Sequence, residues 1–392
     1  MTKGRVLVAM SGGIDSSVAA VLLHEQGYEV VGMTMKTWDY ATAGGSKKET
    51  GCCSLDSIND ARNVAVGLGF PHYIIDIRAE FGEHVINHFT DEYLAGRTPN
   101  PCVLCNTHIK WDALLRRADQ LGCTYIATGH YANVQHDAKT DRYYISKGLD
   151  ETKDQSYALW GVSQASLART MLPLGHLRKT EIRAIAADRG FTDLVNKPES
   201  YEICFVPDND YRGFLKRRVP GLAARVAGGE FVLGDGTLVG HHEGYPFFTI
   251  GQRKGLGVAL GYPAFVTEIR PETNQVVLGN LDELTRDATL VNRLSLSRYA
   301  SLEGRGLVPA TVKVRYNDAG TPGWLEQTGP DEVRVYFECG VPAIAPGQAA
   351  VFYDGADVLG GGWIARAWNQ PAPPESFFSA LPVLNPVASL IA

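Results

Sequence analysis

The residues best suited to chemistry in this chain stand near its start, in Val6-Leu-Val-Ala-Met-Ser11-Gly12-Gly13-Ile14-Asp15-Ser16-Ser17. An apolar run passes through small residues into a helical period. Two glycines let the backbone approach an anion, and the helix N-terminus behind them offers free N–H groups and the positive end of a dipole. Ser16 and Ser17 add hydroxyl donors. The pattern predicts a phosphate cradle built from Ala9, Met10, Ser11, Gly12, Gly13, Ile14, Asp15 and Ser16. It lacks the Gly-Lys-Ser or Gly-Lys-Thr of a Walker A loop and the G-x-G-x-x-G of a dinucleotide fold. The bland alternative is a glycine turn with Asp15 or Ser16 as helix cap, but the strand before and helix after match what a cradle requires. Met35 and Gly129 fall at the C-terminal ends of expected strands, where open α/β sheets bind ligands, and are further candidate contacts for the ligand of this loop.

Thiols are the second resource. The chain has seven cysteines, Cys52, Cys53, Cys102, Cys105, Cys123, Cys204 and Cys339. Cys102 and Cys105 form a C-x-x-C within Asn100-Pro101-Cys102-Val103-Leu104-Cys105-Asn106. A helix expected from Thr107 would place Cys105 just ahead of its N-terminus, where the dipole favours a thiolate. The spacing permits thiol exchange, zinc or an iron-sulfur cluster, yet no second C-x-x-C follows at zinc-ribbon spacing. Cys204, in Ile203-Cys204-Phe205, reads by spacing alone as a core cysteine.

The elements that must carry these groups alternate between strand and helix periods over the first two hundred residues. Expected strands are Arg5–Ala9, Glu29–Met35, Tyr73–Ile77 and Tyr125–Thr128; expected helices are Ser17–Gln26, Asp56–Leu68, Thr107–Leu121 and Thr180–Arg189. That alternation predicts a doubly wound α/β domain with a parallel sheet. Lys197–Pro207 follows neither period. From about Gly229 short β-rich runs and turn signals take over, with Thr311–Tyr316, Val333–Glu338 and Ala349–Tyr353 as strands, which predicts a C-terminal β-barrel or sandwich. The expected division is 1–208 for the domain of the phosphate loop, 209–280 for a small central domain, 281–366 for the β-barrel and 367–392 for a tail without assigned function.

At 392 residues the chain is long enough for two to three domains of roughly 150 residues, without disulfide or metal staples. Its 45% hydrophobic and 20% charged residues exclude global disorder and collagen-like repeats. No apolar run approaches the ~20 residues of a membrane helix. An odd cysteine count and no signal-like start fit a reducing cytoplasm. The net charge of −6 gives no global attraction to phosphate, so a nucleic-acid partner must meet a local basic face. Tyr211-Arg212-Gly-Phe-Leu-Lys216-Arg217-Arg218 and Arg253-Lys254 are the candidate faces.

The Ser-Gly-Gly-x-Asp-Ser loop resembles the pyrophosphate loop of N-type ATP pyrophosphatases, which cleave ATP between its α and β phosphates. With Asn-Pro-x-x-x-Cys-Asn, Ile-Cys-Phe and the ordered motifs 96–101, 127–131, 153–157, 251–257 and 346–353, the chain from Arg5 to about Trp363 resembles the bacterial tRNA-specific 2-thiouridylase family. That resemblance implies ATP-dependent conversion of the wobble uridine of the Lys, Glu and Gln tRNAs into 2-thiouridine, through a uridine adenylated at O2. It implies that Cys204 carries a persulfide whose outer sulfur attacks C2. Cys105 then attacks the inner sulfur, releasing sulfide, or takes part through a transient Cys105–Cys204 disulfide. It implies Mg²⁺ on the pyrophosphate, with Asp15 as a catalytic residue and direct or water-mediated ligand. Implied tRNA contacts are Asn100, Pro101, Cys102, His130, Lys153, Asp154, Gln155, Arg315, Tyr316 and Gln348. The sulfur would come from a relay protein or a cysteine desulfurase.

Many relatives carry Asp where Cys102 stands, so Cys102, Cys105 and Cys204 also form a candidate three-thiolate set for a [4Fe-4S] cluster. Two further readings stay open. Another pyrophosphate-loop enzyme, such as an amide-forming synthetase, would need neither Cys105 nor Cys204. A non-catalytic RNA-binding or metal-binding protein on a decayed loop would show no tRNA-dependent AMP formation.

Overall fold

The computed structural model describes residues 3–38, 54–197, 203–206 and 208–370. Cys52, Cys53, residues 198–202, Pro207 and the tail from residue 371 lie outside the described residues. Packing divides the chain into two units. One comprises the chain up to Asn87 together with Pro101–Arg218; the other comprises His88–Asn100 and the chain from Val219.

The first unit is built on β1 (Arg5–Ala9), whose Val6, Leu7 and Val8 are fully buried. A continuous apolar run of this kind suits a parallel strand covered on both faces. It pairs with β2 (Glu29–Lys36) on one side and, after the chain returns, with β4 (Tyr125–Ala127) on the other. With β3 (His72–Asp76) and β7 (Thr170–Met171) the order is β3-β2-β1-β4-β7, all parallel. The chain reverses its winding between β1 and β4, so the crevice at their C-terminal ends is where such a sheet receives ligands. Helix α1 (Ile14–Glu25) and α2 (Leu55–Leu68) cover the sheet, α1 through Val18, Ala19 and Leu23.

Two expectations about helices need correction. Helix α1 starts three residues before Ser17, because Gly12 turns the chain and Gly13, in extended conformation, already serves as the cap. The helical segment at the cysteines starts at Pro101 rather than Thr107: Pro101–Leu104 runs into wide π turns over Cys105–Trp111 and then Asp112–Gln120. Proline lacks an N–H and fits a first turn, so it opens the helix. Thr107 lies within it, its hydroxyl donating to the Val103 carbonyl at 2.9 Å. Cys105 therefore sits one turn inside the helix, and the argument from a dipole just ahead of it does not hold. The hairpin of β5 (Ala132–Asp137) and β6 (Arg142–Lys147) was not expected, since its alternation is carried by polar residues.

In the second unit, β8 (Gly229–Leu233), β9 (Leu238–His242), β10 (Phe265–Arg270) and β11 (Gln275–Gly279) form a four-stranded sheet in the order β10-β11-β8-β9. The remaining strands are β12 (Thr285–Leu296), β13 (Val308–Lys313), β14 (Thr321–Gly329), β15 (Glu332–Pro342), β16 (Ala349–Asp354) and β17 (Asp357–Trp368). They pair antiparallel as β12-β15-β14-β13-β16-β17, and β17 returns to β12. This closes a six-stranded barrel around Val312, Leu325, Val335 and Phe352. Strand β13 stops at Lys313, short of the expected Tyr316, because the Asp318 carboxylate accepts from the amides of Val314 and Gly320 and folds a turn there.

A buried histidine in the four-stranded sheet gives a pH prediction. His242 lies against the rings of Phe231 and Phe248, and its Nδ1 accepts the Gly244 N–H at 3.0 Å. Burial lowers its pKa from 6.5 to about 4. The unfolded chain takes up this proton near 6.5, so the stability gained by keeping the ring neutral is present above that pH and is lost as pH falls towards 4. The melting-temperature difference between wild type and His242→Gln should shrink from pH 7 to pH 4 in thermal scans. A difference constant over that range would contradict the assignment.

Candidate active site at the phosphate loop

The loop's shape follows from two glycines. Gly12 has φ +71°, and a Cβ there would lie 1.9 Å from the Ser57 carbonyl oxygen at the start of α2. Gly129, just past β4, has no room either: its Cβ would lie 2.7 Å from the Asp15 carbonyl carbon and the Ser16 nitrogen. The loop's serines hold one another. Ser16 Oγ accepts the Ser11 N–H at 3.1 Å and donates to the Gly13 carbonyl at 3.1 Å, and Ser17 Oγ donates to the same carbonyl at 3.0 Å. Gly13 caps α1 without a side chain, so the cap position makes no side-chain hydrogen bond to the first-turn amides. Among the described residues, a Cβ at Gly13 would touch only Ser11 Oγ, at 3.6 Å. The loop is thus rigid behind and open in front, the arrangement an anion needs.

Among the expected nucleotide contacts, Met10 and Ile14 are buried in the core, so they can offer only backbone groups. Ala9, Gly13, Asp15 and Met35 are partly exposed and Ser11 is exposed; Ser16 is buried beneath the loop.

Three residues at the loop escaped the sequence. Lys179, at the start of the helix Lys179–Asp188, places Nζ 2.8 and 3.0 Å from the two Asp15 carboxylate oxygens, with its side chain only 8% exposed. The Tyr131 hydroxyl donates to Asp15 Oδ1 at 2.5 Å. Lys197 Nζ donates to the Gly12 carbonyl at 3.0 Å, Ser57 Oγ at 3.0 Å and Asp60 Oδ2 at 2.7 Å. No local spacing links residues 179 or 197 to the loop. Only the fold brings them there.

Cys102 is exposed and Cys105 and Cys204 are half-buried, so Cys204 is not the core cysteine its spacing suggested. The Asn106 amide beside Cys105 donates to the Ala158 carbonyl at 3.0 Å, fixing the cysteine helix to the turn Ser156–Leu159. Phe205, fully buried against Phe81 and Phe214, anchors the residue next to Cys204. Among the described residues no three His, Cys, Asp or Glu side chains converge to hold a metal. Cys102, Cys105 and Cys204 therefore do not fit a cluster as arranged here.

His130 is 9% exposed and held by Thr128 Oγ1 at 2.6 Å from Nδ1, with Lys110 Nζ 3.5 Å from Nε2. Since an ammonium has only donors, Nε2 is the acceptor and Nδ1–H donates to Thr128. Burial and Lys110 together keep this histidine neutral. Asp154 accepts from the Gly148 and Ser156 amides and the Ser156 hydroxyl, and Gln155 Oε1 accepts the Tyr131 N–H at 3.0 Å. The neighbouring Lys153 is partly exposed. Pro101 is buried in the first turn of the cysteine helix.

In the second unit, Gln348 Nε2 donates to the carbonyls of Thr98 and Pro99 at 3.2 and 2.9 Å, directly before Asn100. Arg315 and Tyr316 lie exposed in the turn after β13, with Arg315 Nη2 donating to the Pro342 carbonyl at 3.1 Å. Of the basic candidates, Arg217 pairs with Asp208 at 3.7 Å and Arg218 with Asn87 at 2.8 Å, while Arg253 and Lys254 are exposed.

Three family models match successive stretches of the chain. Residues 4–208 match the family described as tRNA methyl transferase HUP domain, 212–280 the tRNA methyl transferase PRC-barrel domain, and 294–364 the aminomethyltransferase beta-barrel domain. A tRNA-specific 2-thiouridylase MnmA of Cytophaga hutchinsonii is 72% identical over 94% of this chain and 99% of its own. Proteins of the same description from Amoebophilus asiaticus and Salinibacter ruber are 70% and 60% identical, over 95% and 92% of this chain and 98% and 94% of theirs.

Proposed function

Because this chain belongs to the tRNA-specific 2-thiouridylase family, we propose that it thiolates C2 of the wobble uridine in the Lys, Glu and Gln tRNAs at the expense of ATP. The observation that carries the reading is the start of α1, turned by Gly12 and capped by Gly13 without a side-chain hydrogen bond, in the same unit as Cys105 and Cys204. Methyl transfer, which two of the matching domain descriptions mention, would give neither an ATP cradle nor a pair of accessible thiols a task.

MgATP enters as the substrate, its phosphates meeting the first-turn amides of α1. Asp15, already paired with Lys179 and Tyr131, does not fit a direct metal ligand. The uracil O2 attacks the α phosphorus, the bond to the β phosphate's bridging oxygen breaks, and pyrophosphate departs with that electron pair. The N3 proton is released to solvent. The outer sulfur of a Cys204 persulfide then attacks C2, and AMP leaves. The Cys105 thiolate attacks Cys204 Sγ, the sulfur–sulfur bond breaks towards the base, and C2 keeps the outer sulfur as a thiocarbonyl. A Cys105–Cys204 disulfide remains, which an external thiol reductant opens before the next cycle. The half-buried positions of both cysteines support this reading.

Recognition of the tRNA rests on local groups, given a net charge of −6. A base must leave its stack to be modified at C2, and loop recognition joins aromatic faces to phosphate-binding cations. The exposed Arg315–Tyr316 turn, Lys153 and the Arg253–Lys254 pair have the right chemistry for that. Gln348 acts by holding the backbone that leads into Asn100. The persulfide sulfur comes from a relay protein or a cysteine desulfurase, in the reducing cytoplasm. Product analysis tests the reaction: each 2-thiouridine should appear with one AMP and one pyrophosphate, and ADP with orthophosphate instead would overturn it.

A further inference from the structure

We propose that Cys102 is the resolving thiol of the reaction: it opens the Cys105–Cys204 disulfide left by each turnover, takes Cys105 as its own partner and returns Cys204 to the thiol state. This rests on the thiolation reading above and names the group in this chain through which reducing equivalents enter.

The arrangement of the cysteine helix carries the inference. Of residues 101–106, Pro101, Val103, Leu104 and Asn106 are buried, whereas Cys102 is exposed and Cys105 half-buried. The two thiols are thus the open face of this segment, one turn apart. Residues three apart on a helix hold their Cβ atoms about 5–6 Å from each other and a disulfide needs about 4 Å, so a small tightening joins them. Cys102 lies in the first turn, whose N–H groups have no partner within the helix, so it moves without giving up such a bond. Cys105 is the fixed member of the pair. Its neighbour Asn106, 3% exposed, is tied to the Ala158 carbonyl at 3.0 Å. A Cβ at Gly161 would stand 2.7 Å from Thr107 Oγ1, so residues 156–161 abut the helix and hold it in place.

Access gives the exposed thiol its task. Cys105 and Cys204 are both half-buried, so a bond between them offers less sulfur to a reductant in solution than a bond that includes Cys102. Thiol exchange depends on access to the attacked sulfur. All three cysteines belong to one unit. Once the disulfide has moved to Cys102–Cys105 it lies on the open face of the helix, and Cys204 is ready to take up the next sulfane sulfur.

The step balances as one disulfide exchanged for another. Cys102 gives its thiol proton to solvent, and its thiolate attacks Cys105 Sγ. The bond from Cys105 to Cys204 breaks, and its electron pair leaves on Cys204 Sγ, which takes a proton from solvent. A small dithiol then delivers two electrons and two protons to the Cys102–Cys105 bond and is itself oxidised to a disulfide. Attack from the same helix is intramolecular, and its effective concentration exceeds that of a dilute external thiol.

Disulfide mapping tests this. Persulfide-loaded wild type and Cys102→Ser react with MgATP and unmodified tRNA without reductant, are alkylated with N-ethylmaleimide, digested and read by mass spectrometry. Wild type should hold a Cys102–Cys105 disulfide with Cys204 alkylated, and Cys102→Ser should hold Cys105–Cys204. Wild type that keeps Cys105–Cys204 with Cys102 alkylated overturns the proposal. With limiting dithiothreitol, the steady-state rate of Cys102→Ser, divided by its own first-turnover rate, should fall ~10-fold below the same ratio for wild type. Equal ratios overturn the proposal as well. A parallel sample of wild type oxidised by diamide, with no ATP or tRNA, should also hold Cys102–Cys105, and a Cys105–Cys204 disulfide there contradicts the exchange. Absence of 2-thiouridine would sink the thiolation reading, while the diamide sample would still decide whether Cys102 displaces Cys204.

Discussion

Replacing Cys204 with serine should leave a folded protein that binds ATP and tRNA and forms no 2-thiouridine. A serine oxygen cannot hold the outer sulfur as a persulfide, so the reaction loses its sulfur carrier and not merely an accelerating group. Structural damage should be small. Cys204 is half-buried, whereas Phe205 beside it is fully buried against Phe81 and Phe214 and secures the segment in either variant. Cys105→Ser provides the contrast, because adenylation and attack by the persulfide would still proceed. The base should then remain joined through sulfur to Cys204, and a protein–tRNA adduct cleaved by dithiothreitol should accumulate on denaturing gels. Thiolation by Cys204→Ser at the wild-type rate, measured by mass spectrometry of the nucleosides, would remove Cys204 from the role of carrier.

Gly12→Ala should abolish nucleotide binding and lower stability together. The added methyl group meets two separate obstacles. A side chain at φ +71° is strained by roughly 1–2 kcal/mol, and the methyl would stand 1.9 Å from a backbone oxygen that cannot rotate away. The loop must shift or α2 must move, and either displaces the amides that face the phosphates. Calorimetry should show at least ~100-fold weaker ATP binding, since a misplacement of about 1 Å is enough for an effect of that size. Gly13→Ala is the matched control for the fold. Among the described residues its methyl would touch only Ser11 Oγ, at 3.6 Å, so it should melt near wild type while protruding into the cradle. Unaltered ATP binding by Gly12→Ala would mean that phosphates do not rest on this loop.

What could be read from the sequence follows a physical divide. The turn from β1 through Gly12 and Gly13 into α1 was legible because its requirement is local: a buried strand, two glycines and a helix start are consecutive, and each has its own signature. The parallel sheet was legible for the same reason, since Val6, Leu7 and Val8 have no polar alternation and the helices between strands keep their period. Lys179, Tyr131 and Lys197 were not, because their contacts with Asp15 and Gly12 are made across the fold and leave no spacing to detect. Near Cys105 the error was one of boundary. Helical period was visible from Thr107 onward, but the start at Pro101 depends on a proline whose missing N–H makes it a first-turn residue. Thr311–Tyr316 failed at the other end of an element, where the Asp318 carboxylate captures two backbone amides and ends the strand early. The family resemblance supplied what periodicity could not at Cys204, whose half-exposed setting differs from the buried one its type alone suggests.

The most direct measurement is incubation of the purified protein with unmodified Lys, Glu or Gln tRNA, MgATP and a persulfide-forming sulfur donor, read on a gel whose mercury reagent retards thiolated RNA. A retarded tRNA band should appear with the wild-type protein only when ATP is present, accompanied by AMP, and should be absent with Cys204→Ser. Retardation without ATP, or none at all while AMP is formed, would contradict ATP-dependent thiolation by this chain.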